Sequence, residues 1–306
     1  MNPLRTTARG TLALSLTLVV TLLVGTASAG SRKTPATIVF PVLGQAAYTD
    51  DFGEPRPGGP HQGIDMMAPK RSLALAAEAG KVEFWTTSAS AGCMIYLHGQ
   101  SGTTYIYIHL NNDLTRRNDN RGKCVAGTAY AKGLKDGAKV VAGQVIGYVG
   151  DSGDADGIHP HLHFELHPAG GHAVDPYPWL KRARHLLFAA KRGSPFTLDL
   201  RGTVAAASQD DLQLKVSRIS AWPMGQHQAK VGRRVLVLVP ASATVQVVRK
   251  LGGAGKKAKL SSAQVGQAVD LWTAVAPATL RAERGDDLAL SASLVSLVAL
   301  GRLRGR

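Results

Sequence analysis

From Val42 onward the chain alternates brief apolar runs with glycine-rich turns, and no helical period of comparable length interrupts them. Val82-Glu83-Phe84-Trp85, Met94-Ile95-Tyr96-Leu97, Thr103 to Leu110, Gln144 to Val149 and Leu162 to Leu166 each suit one strand. Such strands bury an apolar side only by pairing into sheets, so the expected fold class is all-β. The region ends near Asp175-Pro176-Tyr177-Pro178-Trp179-Leu180. A second series follows from about Phe196, with Leu212 to Val216, Arg234 to Val239, Thr244 to Val248 and Val269 to Trp272 separated by turns such as Gln209-Asp210-Asp211 and Gly285-Asp286-Asp287. It predicts a small barrel or sandwich. The expected organisation is a lead-in over 30–41, one β domain over 42–180, a linker over 181–195 and a second β domain over 196–306. Within the linker, Lys181 to Lys191 are expected to form one short amphipathic helix.

The first 29 residues carry Arg5 and Arg9, an apolar stretch from Leu12 to Val24 and the small-residue site Ala27-Ser28-Ala29. That order is the pattern of a cleaved secretory signal; a spanning helix needs about 20 apolar residues. The expectation is therefore a secreted, extracytoplasmic protein of the cell envelope, touching a membrane only through its signal peptide. Cys93 and Cys124 are the two cysteines, and an even pair in an oxidising compartment is expected to bond. The net charge of +15 is concentrated late: residues 193–306 hold 16 Lys and Arg against 7 Asp and Glu. Outside the cell such a surface faces anionic envelope polymers rather than nucleic acid. A solvated surface that favours solubility accounts for it equally well.

Two short stretches carry the chemistry: His61-Gln62-Gly63-Ile64-Asp65 and His161-Leu162-His163-Phe164-Glu165. On a strand, His161 and His163 share one face while Leu162 and Phe164 take the other. Tyr105, Tyr107 and His109 are likewise expected to share a face, with a third imidazole near a strand end. Gly58-Gly59-Pro60 and Gly63 argue that His61 lies in a loop and Asp65 at the start of a strand. A catalytic zinc takes three N, O or S ligands and keeps one position for water. His61, Asp65 and one histidine of the 161/163 pair supply such a set, leaving the other histidine and His109 for proton transfer.

Further phrases surround these motifs: Phe52-Gly53, Ala68-Pro69, Gly80-Lys81-Val82, His98 to Gly102, Tyr107-Ile108-His109-Leu110 and Val141 to Gly147. In this order they make the region from about Phe52 to Leu180 resemble the lysostaphin/LytM family of zinc metallopeptidases, the duplicated hybrid motif fold. The resemblance implies a LytM-like antiparallel β-sheet sandwich whose groove holds one Zn2+ per chain. It further implies His61, Asp65 and His163 as metal ligands, and His161 and His109 as the catalytic pair. The implied activity is zinc-assisted hydrolysis of peptide bonds in bacterial peptidoglycan. The division of labour between His109 and His161 stays open. Some domains of this kind have lost ligands and act as binding or activating partners of other wall hydrolases; the intact ligand set here favours an enzyme.

The chain departs from the family pattern in a longer connection between His109 and Gly143, where Asp113, Asn118, Asp119 and Asn120 offer either a polar loop or a calcium site. His159 is an added rim residue, and His98, His167, His172, His185 and His227 are read as surface or turn histidines. Gly150-Asp151-Ser152-Gly153 copies the nucleophile turn of serine proteases, but no histidine has the matching flanks.

Overall fold

The computed structural model describes residues 35–115 and 117–300. The expected signal over 1–29 and the start of the lead-in lie outside them. The first half runs β1 (Pro55–Arg56), β2 (Gly59–Pro60), β3 (Ile64–Met67), β4 (Leu73–Leu75), β5 (Gly80–Ser88), β6 (Gly92–Gly99), β7 (Thr104–Leu110), β8 (Lys139–Val140), β9 (Val145–Tyr148), β10 (His161–His167) and the helix α1 (Tyr177–Arg182). Six of these strands form one antiparallel sheet in the order β3-β10-β7-β6-β5-β8, and β4 pairs with β9 in a separate ribbon.

Period-two alternation decides which side of the six-stranded sheet is dry. Ile64, Met66, Val82, Ile95, Leu97, Tyr105, Tyr107, Leu162, Phe164 and Leu166 all point to one face, where Ala74 and Ile146 of the ribbon close the same core. Each large side chain buried this way contributes about 1.5–3 kcal/mol. The two tyrosines keep their hydroxyls paired: Tyr107 donates to the Leu75 carbonyl (2.9 Å) and accepts from the Ala77 amide (2.8 Å), while Tyr105 donates to Glu78 (2.9 Å). The opposite face carries Asp65, His161, His163 and Glu165.

The long connection after β7 is a polar loop pinned at several points. A Cys93–Cys124 disulfide ties it to β6. Asp113, fully buried, accepts from the amides of Asp119 (2.6 Å) and Asn120 (2.7 Å), and its other oxygen from Lys70 (2.5 Å). Asp119 accepts from the amides of Leu114, Thr115 and Arg121. These carboxylates already hold cations and N–H donors, so the calcium alternative does not fit this loop.

The second half contains β11 (Pro195–Ala207), β12 (Asp211–Trp222), β13 (Gln226–Leu238), β14 (Thr244–Val248), β15 (Gly255–Lys257), β16 (Ala268–Thr273), β17 (Ala276–Pro277), the helix α2 (Leu280–Arg284) and β18 (Leu290–Val298). The order β13-β12-β11-β16-β18 closes on itself through a parallel β13–β18 pairing, so of the two expected forms the barrel is adopted. Its core includes Leu198, Leu200, Leu214, Val216, Val237, Leu271 and Val295.

The helix expected over Lys181 to Lys191 lies earlier, at Tyr177–Arg182. Pro178 sits in its first turn, where its missing N–H costs nothing. Leu186, Leu187, Phe188 and Ala189 are consecutive buried residues, which one face of a helix cannot provide. Gln226 on β13 brackets Ala189, accepting from its amide (3.0 Å) and donating to its carbonyl (2.7 Å). Gln228 donates to the Leu187 carbonyl (2.5 Å), and buried Glu283 accepts from the Ala190 amide (2.8 Å) and pairs with Arg192.

Candidate metal centre

Register places the central residues. His163 on β10 pairs directly with Asp65 on β3, and on its other side with Ile108 on β7. His61 precedes β3 in a loop that leans on β10 through Gly63. A Cβ there would stand 2.6 Å from the Phe164 carbonyl oxygen and 2.8 Å from His163 Nε2, so only glycine permits the approach.

Three donor atoms converge. His61 Nε2 is 2.8 Å from His163 Nδ1 and 3.2 Å from Asp65 Oδ1, and His163 Nδ1 is 2.9 Å from Asp65 Oδ1. Ligands at about 2.0–2.1 Å from a tetrahedral zinc lie about 3.3 Å apart, so opening this triangle by a few tenths of an ångström gives a zinc-binding face. The donors also fit in kind, two imidazole nitrogens and a carboxylate oxygen. Among the described residues this is the one His/Cys/Asp/Glu group arranged to hold a metal.

The surrounding hydrogen bonds fix which nitrogen of each ring points inward. Carbonyl oxygens only accept, so His61 Nδ1–H donates to Asp51 (2.9 Å), His109 Nδ1–H to Ser152 (2.8 Å) and His161 Nδ1–H to His159 (3.0 Å). His163 Nε2–H donates to Glu165 (3.0 Å), which also accepts from His167 (2.6 Å). The remaining nitrogens, Nε2 of His61, His109 and His161 and Nδ1 of His163, face the cluster; those of His61 and His163 contact Asp65 and ligate a metal only once they carry no proton.

Electrostatics follow from this packing. Burial favours a neutral Asp65, but the hydrogen bonds from His163 and His61 outweigh it and hold the carboxyl far below its ordinary range. Burial likewise depresses His163, yet Asp65 and Glu165 raise it to about 9. Glu165, opposed by burial, is held at about 2 by His163 and His167. Burial lowers His109 to about 4 despite its bond to Ser152, with His161 and His163 adding to the depression, so it is neutral at pH 7.

His109 reaches the metal face by a route that alternation does not predict. Tyr105 and Tyr107 lie in the core, and regular continuation would send His109 there too. Instead β7 bulges against β6 between the Cys93 and Ile95 pairings, and His109 adopts φ +60°. Its ring therefore sits 4.9 Å from His161 and 6.2 Å from His163, centroid to centroid, on the opposite side from Tyr107. Strained backbone of this kind is commonly kept where function requires it.

Ser152 is buried in the wall of this site. Its hydroxyl donates to the Leu110 carbonyl (2.5 Å) and accepts from the Cys93 amide (2.9 Å), leaving no free nucleophile. Three supporting residues carry no signal in spacing. Arg56, on the β1–β2 hairpin, holds Asp65 Oδ2 (3.3 Å) and Asp51 Oδ2 (3.4 Å), while Asp51 also receives His61. His167, expected as a surface residue, instead supports Glu165. His159 lies at the exposed rim, its Nδ1–H donating to the Pro160 carbonyl.

The sheet face thus carries a His-Asp-His cluster that could hold a metal ion, with two further imidazoles beside it. Residues 59–176 match the model of peptidase family M23, so this part of the chain is similar to that family. Over 153 residues the chain is 29% identical to an L-Ala–D-Glu endopeptidase of Bacillus subtilis, a match covering 46% of this chain and 42% of that protein. Over 159 residues it is 28% identical to a DD-carboxypeptidase/endopeptidase Mpg of Neisseria meningitidis, covering 49% of this chain and 32% of that one. The chain thus spans less than half the length of these curated relatives. The lysostaphin catalytic domain from Staphylococcus simulans aligns with a TM-score of 0.35 at 27% identity, over 45% of this chain and 92% of that one. No described helix is long and apolar enough to cross a membrane.

Proposed function

We propose that this chain is an exported zinc metalloendopeptidase that hydrolyses peptide bonds in bacterial peptidoglycan, with residues 42–180 as the catalytic domain and residues 196–306 as a second, basic domain. The observation that carries the reading is the inward convergence of two imidazole nitrogens and one carboxylate oxygen, each oriented by a partner behind it. Relatives named for an L-Ala–D-Glu bond and for DD-peptidase action support a peptide substrate containing D-residues.

In this reading His61, Asp65 and His163 hold the zinc. When bound, the metal supplies Lewis acidity and makes water acidic enough to attack near neutral pH. His161 takes a proton from the attacking water, a role supported by its Nε2 lying 3.8 Å from Asp65 Oδ1. His109 is neutral with its one proton committed to Ser152, so its Nε2 accepts before it can donate. It serves as the second proton carrier, accepting the proton that His161 takes from water and passing it to the departing amine.

We also propose that the barrel contacts an anionic envelope polymer. Lys215 on β12 stands directly opposite Arg234 on β13, both exposed, with Arg218 further along β12. Like charges face to face are unfavourable without a counter-charge. Lys215→Glu with Arg234→Glu is expected to weaken salt-sensitive envelope binding; unchanged binding overturns this assignment.

The deciding experiment measures zinc content and peptidoglycan digestion for the unaltered protein, His61→Ala and His161→Ala. One zinc and cleavage in the unaltered protein are expected, with His61→Ala losing metal and His161→Ala keeping metal without activity. Stoichiometric zinc with no cleavage of any peptidoglycan refutes the peptidase reading.

A further inference from the structure

The face that carries the metal cluster continues across the six-stranded sheet. Strand pairing sets its rows. One runs from His163 to Ile108 and, beyond the bulge, to Met94 and Trp85; the next runs Glu165, Ile106, Tyr96, Glu83; the third runs His167, Thr104, His98, Lys81. The middle is a nearly buried aliphatic floor of Met94, Ile106 and Ile108, 5%, 7% and 9% exposed. The far side is aromatic. Trp85 is 42% exposed in mid-strand, its ring 5.8 Å from Tyr96, and Tyr96 stacks on His98 at 6.3 Å. Glu83 and His98 are bonded beside these rings, Nε2–H to Oε2 at 2.9 Å, both exposed.

We infer that Trp85, Tyr96, Glu83 and His98 form a saccharide-binding subsite, at which one sugar ring of a peptide-bearing glycan rests while its peptide runs along the aliphatic floor to the metal cluster. The inference rests on the peptidoglycan reading for the source of the sugar. A pyranose has an apolar C–H face and an edge of hydroxyl or acetamido groups. The site offers the matching pair, an exposed indole beside a half-buried tyrosine to cover the first and a carboxylate with an imidazole to bond the second.

The spacing turns the subsite into a ruler. Trp85 lies three strands from His163, about 14 Å at the usual interstrand distance. An extended peptide covers about 3.4 Å per residue. A sugar at Trp85 therefore sets the cut about four residues from the glycan, rather than at the first peptide bond.

The test titrates a peptide-free, β-1,4-linked N-acetylglucosamine tetramer into the full chain and follows heat and tryptophan emission. The unaltered protein is expected to bind, and chelator-treated protein to bind equally well, because the subsite does not use the metal. Trp85→Ala is expected to weaken binding about tenfold or more, and Trp85→Phe to retain part of it. No binding by the unaltered protein, or equal binding by Trp85→Ala at unchanged thermal stability, overturns the subsite. Binding that depends on Trp85 without digestion of any peptidoglycan keeps the subsite and removes the peptidase reading. Mass spectrometry of products from a glycan-linked peptide checks the ruler: a cut near the fourth residue upholds it, and a cut at the first bond overturns it.

Discussion

His163 and Asp65 face each other across adjacent strands, and their side chains meet at 2.9 Å between Nδ1 and Oδ1. Two of the three donors are thus set by backbone register alone. A slip of one residue would send His163 into the core and Leu162 or Phe164 into the groove, so core packing and site assembly enforce the same pairing.

Asp65 and Glu165 hold His163 up at about 9 in the metal-free protein, so at pH 7 a proton occupies Nδ1, where a metal would sit. Zinc binding at pH 7 is expected to release about one proton, with apparent affinity rising roughly tenfold per pH unit up to about pH 9. Calorimetry in buffers of different ionisation enthalpy measures this, and binding without proton release contradicts it. The raised pKa also has a stability consequence: the charged histidine stabilises the metal-free fold fully below about pH 6.5, and that contribution is lost as pH rises through about 9.

Arg56 holds the carboxylate oxygen of Asp65 that does not face the histidines. Arg56→Ala is expected to weaken zinc affinity about 10- to 100-fold, the usual effect of losing a residue that orients a ligand. Competition against a chelator of known affinity checks it; unchanged affinity would mean that Asp65 is held by the histidines alone.

Ser152 supports the wall and has no free hydroxyl. A serine-directed reagent is expected to leave hydrolysis intact, whereas Ser152→Ala should destabilise the fold by about 1–3 kcal/mol by stranding the Cys93 amide. Denaturant unfolding measures the second effect. Inactivation by the reagent would revive a serine mechanism.

The Cys93–Cys124 bridge closes a loop with a sequence separation of 31. Replacing both cysteines with serine is expected to cost roughly 3 kcal/mol. A cost near zero would show that the Lys70–Asp113 pair and the loop's own hydrogen bonds already restrain the insert.

Much of this was legible because alternation and turn chemistry are local. The strands around Val82, Met94, Leu162 and Thr244 fall where their patterns predict, and the loop position of His61 follows from Gly63 and its neighbours. The face taken by His109 was hidden, since one bulged residue reverses parity without marking the sequence. Arg56 and Asp51 were hidden for another reason: their importance comes from a hairpin folding over β3, a contact between segments that periodicity does not report. The burial of Leu186 to Ala189 was hidden because the lysines and arginines that flank the run dominate its composition.

Gln226, Gln228 and Glu283 grip that run from the barrel side. Removing the barrel would therefore strip the lid from Leu187 and Phe188 and leave a sticky scar on the remaining half. A shortened chain that aggregates would say nothing about what the barrel recognises, whereas exchanging surface charges leaves the seam sealed. The same seam makes the barrel a fixed handle on the first domain: a force applied to one is felt by the other through Leu187 and Phe188.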